Sequence, residues 1–80
     1  MELEPASAVR IEYLIATVRH AARVGERERA VAFLLATREL LQDIKRGLAA
    51  DDQETLRVHP WSAFIRRGLD RAGAAPRPRK

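Results

Sequence analysis

The side chains able to do chemistry in this chain are few and far apart: two histidines, His20 and His59, two serines, Ser7 and Ser62, and no cysteine. Nucleophilic catalysis needs a serine or cysteine beside a base, with a third group orienting that base. His59 stands three residues before Ser62, yet no acid is placed in sequence to orient it. Glu39 and Asp43 are four apart on what the pattern makes the polar face of a helix, where carboxylates stay ionised and make poor general acids. Two histidines separated by 39 positions, with no HExxH pattern or carboxylate cluster, do not form a metal site. There is no glycine-rich phosphate loop. The expectation is a protein that is not an enzyme, with no metal and no cofactor, and binding is what remains.

Charge shows where binding would occur. Before position 57 the chain carries eight basic against ten acidic residues. From there on it carries Arg57, Arg66, Arg67, Arg71, Arg77, Arg79 and Lys80 against Asp70 alone. A slightly acidic body with a basic C-terminal quarter points to an acidic partner, either a protein surface or nucleic acid. On the nucleic-acid reading, Arg66, Arg67, Arg71, Arg77, Arg79 and Lys80 would contact phosphates, with a steep salt dependence. Their density is low, and they lack the interleaved small residues of a dedicated nucleic-acid face.

The elements that must position these residues follow from size and pattern. Eighty residues without a cysteine make one small domain that no disulfide can staple. Long, well-packed helices or self-association must then bury the apolar surface. The 46% hydrophobic and 32% charged composition is that of a folded, soluble protein. No apolar run approaches the ~20 residues of a membrane span, and the acidic Met-Glu-Leu-Glu-Pro start lacks the character of a signal peptide. A cytoplasmic location is the expectation. Thirteen arginines against two lysines, with many alanines, read as a GC-rich, bacterial coding sequence.

The apolar periodicity predicts an all-α fold. A first helix at about 6–24 opens near Pro5, with Ser7 as a competing cap, and buries Ile11, Leu14, Ile15, Val18, Ala21 and Ala22. Gly25 ends it. A second helix at about 26–47 carries the stripe Ala30, Phe33, Leu34, Thr37, Leu40, Leu41, Ile44 and Leu48, and Gly47 offers its stop. So short a connection makes the pair an antiparallel hairpin. Phe33, Leu34, Leu40, Leu41 and Ile44 are expected at the centre of the core, facing Leu14, Ile15 and Val18. Residues 49–60 break the pattern, with Asp51 or Asp52 capping at most a short turn. A shorter helix at about 60–72 starts at Pro60, presents Trp61, Phe64, Ile65, Gly68, Leu69 and Ala72 on one face, and stops at Gly73. Residues 1–73 form the expected helical domain and 74–80 a flexible basic tail.

Ala21, Gly25, Val31 and Leu34 fall near the spacing of a DNA-reading helix-turn-helix. Glu26 stands where that motif needs a buried apolar residue, however, and Glu26-Arg27-Glu28-Arg29 puts carboxylates where phosphate contacts belong. The hairpin is the better reading.

Apolar surface in excess of what a hairpin needs marks the partner-binding candidates. Val31 and Leu35 form a shoulder on the second helix, which calls for the third helix, a second copy of the chain, or both. Trp61 and Phe64 are anchors of the type that seats a partner helix. Tyr13 and His20, with Thr17, Val9 and Val24, make a partly polar face opposite the first helix's apolar stripe, suited to recognition or to a half-wet edge. The sequence thus predicts a helical protein–protein interaction module, a small regulatory adaptor or chaperone-like protein, with a homodimeric bundle as its assembly. A small dimeric nucleic-acid-binding regulator using the basic C-terminal segment is the alternative.

Overall fold

The computed structural model describes residues 3–73, and within them every regular element is a helix. The elements are α1 (Pro5–Arg23), α2 (Arg27–Arg46), α3 (Ala50–Arg57) and α4 (Pro60–Ala72). The expected basic tail, with Arg77, Arg79 and Lys80, lies outside the described residues.

Each boundary has a local cause. Pro5 and Pro60 open α1 and α4, where a missing N–H costs nothing. Glu4, not Ser7, is the residue before α1. After α1 the chain reverses through a Schellman motif: Glu26 N–H donates to Ala21 O (2.8 Å) and Gly25 N–H to Ala22 O (3.2 Å). Gly25 makes that turn possible, with φ at +83°, which side chains with a Cβ rarely adopt. The reversal leaves α1 and α2 as the antiparallel hairpin. At the other end of α2 the glycine works differently. Gly47 has φ −92°, the N–H groups of Gly47 and Leu48 donate to Ile44 O and Lys45 O, and Gln53 Nε2 adds bonds to Lys45 O (3.0 Å) and to Leu48 O (3.1 Å) just beyond the helix.

Gln53 belongs to the element that periodicity missed. Residues 50–57 form a full eight-residue helix where a pattern break was expected, and neither Asp51 nor Asp52 caps it. Ala49 precedes it without a side-chain cap, and the two aspartates lie in its first turn, where the dipole favours them. α3 buries one large side chain, Leu56.

The core is a ridge from each long helix plus three residues from the short ones. Ile11, Ile15, Val18 and Ala21 of α1 meet Ala30, Leu34, Thr37 and Leu41 of α2, while Leu56, Ile65 and Leu69 close the cluster. The centre of α2 is therefore rotated from the expected one. Leu34 and Leu41 are buried as expected, as are Ile15 and Val18, but Phe33, Leu40, Ile44 and Leu14 are half-buried and Ala22 is exposed. Thr37 is fully buried, its hydroxyl donating to Phe33 O at 2.6 Å.

α4 is the further partner that α2 required. It packs against α2 where Gly68 meets Leu34: a Cβ on residue 68 would lie 2.9 Å from Leu34 Cδ1 and 3.0 Å from Cδ2. The absent side chain lets the two helices close. Burying Ile65 and Leu69 behind that contact contributes about 1.5–3 kcal/mol each.

This contact predicts a sign reversal. Gly68→Ala gains about 1 kcal/mol of helix propensity and loses about 1–3 kcal/mol to overpacking while Leu34 is present. It is expected to be neutral to destabilising in the wild-type chain. In a Leu34→Val background, where the clashing methyls are withdrawn, the same change is expected to stabilise by about 0.5–1 kcal/mol. Urea denaturation of the four proteins checks this, and strict additivity would rule out the close approach.

Candidate functional site

α4 carries most of the chemistry-bearing residues, and its N-terminus fixes how they are used. His59 Nδ1 accepts from Trp61 N–H at 3.1 Å, capping the helix, and the two rings lie 4.3 Å apart between centroids. Ser62 Oγ donates to Leu56 O at 2.7 Å, satisfying a carbonyl in the last turn of α3. The histidine–serine pair that invited a catalytic reading thus serves helix ends. Asp43 of the Glu39/Asp43 pair is bonded to Arg46. Among the described residues no three His, Cys, Asp or Glu side chains come together as metal ligands, and no helix is long and apolar enough to cross a membrane.

Docked on α2, α4 also reaches α1 along a seam. At one end Trp61 Nε1 donates to Glu12 Oε2 at 2.9 Å. Further along, the Arg19 guanidinium lies over the Phe64 ring, 5.2 Å from its centroid, in cation–π geometry. At the far end Arg27 of α2 donates to Ala72 O, an orphan carbonyl at the end of α4, at 3.4 Å. These contacts place α4 parallel to α1.

Between the Phe64 level and the helix ends the seam opens into a groove of about 770 Å³, within the ~300–1,000 Å³ range of ligand sites. Its floor is apolar and made largely of small residues, among them Ala22, Ala30, Gly68 and Ala72, with Val18, Leu34 and Phe64 behind them. Its polar rim is Arg19, Arg23, Arg27 and Arg71, and among the described residues no carboxylate lines it. Small residues leave room on the floor, and four cations around it make a field that favours negative charge.

A smaller cleft of about 250 Å³ lies on the other flank of α4. Leu41, Leu56, Ile65 and Leu69 form its floor, and Arg38, Lys45, Arg57 and Arg66 its charged lining. Nε of Arg38 is buried with no hydrogen-bond partner among the described residues. Arg57 is held by Glu54 through paired contacts of 3.0 Å (Nε to Oε1) and 2.6 Å (Nη2 to Oε2). The Arg57 guanidinium, by that hydrogen bonding and by its charge, holds the Glu54 carboxyl below its ordinary value, and Glu54 raises Arg57 in return.

The partner-binding residues expected from sequence separate into several places. Val31, Phe64 and Arg71 converge on the large groove. Arg66 lies in the smaller cleft and Arg67 is exposed beside it in sequence. Tyr13 and His20 are exposed on the outer face of α1, away from both. Leu35 is half-buried against the core, and Trp61 is half-buried and tied into the α1–α4 seam. Arg19, Arg23, Arg27 and Arg38 were not singled out. Arg19, Arg23 and Arg27 recur every four positions, which is a detectable signal, but their meeting with Arg71 depends on where α4 docks. The chain matches no protein-family model, and neither the curated proteins nor the solved structures include one detectably similar to it.

Because folding depresses the Glu54 pKa, the stabilisation it brings is present above the unfolded value of 4.5 and is lost as pH falls through and below it. Amide exchange in α3 is expected to accelerate relative to α1 as pH drops past that value. Glu54→Gln should flatten the difference. An unchanged acid response in that variant would rule out the Glu54–Arg57 pair as its source.

Proposed function

We propose that this chain is a non-enzymatic protein-binding module, a cytoplasmic adaptor or chaperone-like protein, whose partner is an acidic amphipathic helix seated in the groove between α1 and α4. One observation carries this reading: an apolar floor of small residues ringed by Arg19, Arg23, Arg27 and Arg71, with no carboxylate among the described residues. A helix laid there would place a large apolar side chain over Ala22, Ala30 and Gly68. Its flanking carboxylates would meet guanidinium groups that offer bidentate hydrogen bonds. Duplex nucleic acid would use the rim and leave the floor empty, since phosphate contacts need cations and not an apolar recess. The homodimer expected from sequence belongs to the same proposal. Its face is not the α2 shoulder, because Val31 and Leu35 are already half-buried against the core.

Fluorescence anisotropy tests the groove directly. A labelled helical peptide with leucines at i, i+4 and i+7 flanked by glutamates is compared with its scrambled isomer and with a labelled DNA duplex. The amphipathic peptide is expected to bind at least tenfold tighter than the scrambled one, and more weakly at high salt. Arg23→Glu with Arg71→Glu should remove that preference while the fold persists by circular dichroism. Equal binding of the two peptides, or tighter binding of the duplex, would overturn the reading.

A further inference from the structure

The outer face of α1 is a second unpartnered surface, which borders the groove at Arg19 and Arg23. Four large apolar side chains stand out among the described residues as exposed: Val9 (67%), Tyr13 (66%), Val24 (52%) and Val58 (61%). Three of the four fall on one stripe of α1. With 100° per residue, Val9, Tyr13, Ala16, His20 and Val24 lie within a narrow sector opposite the buried Ile11, Val18 and Ala21. The sector contains no Asp, Glu, Lys or Arg over more than four turns of helix. Its hydroxyl-bearing neighbour Thr17 turns its Oγ1 back to Tyr13 O at 2.9 Å, leaving little polar demand on the stripe.

Charge appears only at the edges of the stripe, and its order there selects an occupant. On the edge facing α4 stand Glu12, Arg19 and Arg23, with Arg10 on the opposite edge. Consider two copies of α1 paired about a two-fold axis perpendicular to both helices and passing between residues 16 and 17. Such an axis leaves each edge facing its own equivalent. Position 9 then meets 24 of the other copy, 13 meets 20, and 12 meets 21. Glu12 therefore comes level with the gap between the other copy's Arg19 and Arg23, each about 3 Å away along the axis. Val9 covers Val24, Tyr13 covers His20, and the small Ala16 sits at the axis, where helices approach closest. A parallel two-fold pairing would instead turn this edge toward the other copy's Arg10 edge, where Arg19 and Arg23 meet no carboxylate.

We infer that this stripe is a self-recognition surface, on which a second copy of the chain pairs antiparallel through α1, centred between Ala16 and Thr17. The inference rests on the two-copy part of the proposed function; it leaves the apolar floor of the groove open and shares Arg19 and Arg23 with its rim. A single helix pair buries less than the roughly 800 Å² per partner of a standard interface, so the dimer is a reversible one.

The chain has no cysteine, which makes cross-linking decisive. Ala16→Cys, Val9→Cys, Val24→Cys and Ala32→Cys are prepared singly, Ala32 being an exposed position on α2. Wild-type mass is followed by light scattering up to about 100 μM, a range suited to a small interface. A dimer is expected. Oxidised Ala16→Cys should link to itself, because a disulfide needs Cα atoms within about 7 Å. Val9→Cys should not link to itself, since its two copies lie about 22 Å apart along the axis, but it should link when mixed with Val24→Cys. Tyr13→Asp should weaken association at least tenfold, with a melting temperature unchanged at concentrations low enough for both proteins to be monomeric. A monomer at all concentrations overturns both the dimer and this face. A dimer in which Ala32→Cys links and Ala16→Cys does not leaves the dimer standing and overturns the face. Self-linking of Val9→Cys overturns the antiparallel register.

Discussion

The close approach of α4 to α2 at Gly68 and Leu34 is the contact on which the rest of the molecule depends. A hairpin of two helices has one seam and buries one stripe from each. In a chain of eighty residues with no cysteine that is too little apolar surface to offset chain entropy comfortably. A glycine in the third helix removes the atoms that would hold it off, and α2 gains cover on a second flank. Ile65 and Leu69 are buried as a result, and Leu56 of α3 is drawn into the same cluster. The seam with α1 exists only because α4 has arrived.

Most of this fold was legible in the sequence. The proline starts, the glycine after α1 and the 3.6-residue stripes located α1, α2 and α4 to within a residue or two. α3 escaped because periodicity needs repeated apolar side chains, and Ala50–Arg57 supplies one buried large residue, Leu56. What holds that helix in place is polar: Gln53 on the end of α2 and Ser62 on Leu56 O. The broad stripe of α2 left its centre uncertain, and the choice of Phe33, Leu40 and Ile44 went to the wrong side of the ridge. Ala30 and Thr37 are the buried members there, because α1 and α4 both press on that line.

The site was legible only in part, for a geometric reason. Phe64, Val31 and Arg71 could be picked out one by one as anchors or cations. Arg19, Arg23 and Arg27 look, on their own helices, like an ordinary solvated edge. They become a rim when α4 brings Arg71 and a floor of small residues beside them. Trp61 shows the reverse case. Its ring reads in sequence as a core or interface anchor, and its indole N–H is bonded to Glu12, so it fastens the seam that frames the groove.

The arginine rim also has a consequence for the free chain. Guanidinium groups gathered around an apolar recess repel one another, and only the surrounding water and salt moderate that repulsion. Two of these groups, Arg19 and Arg27, also fasten α4 through Phe64 and Ala72 O, so attraction and mutual repulsion act at the same seam. An anion among these side chains would relieve part of that repulsion at the seam between α1 and α4. On the proposed reading, folding and occupancy are thermodynamically linked: an anionic occupant of the groove would act as the counterion that steadies the docked helix.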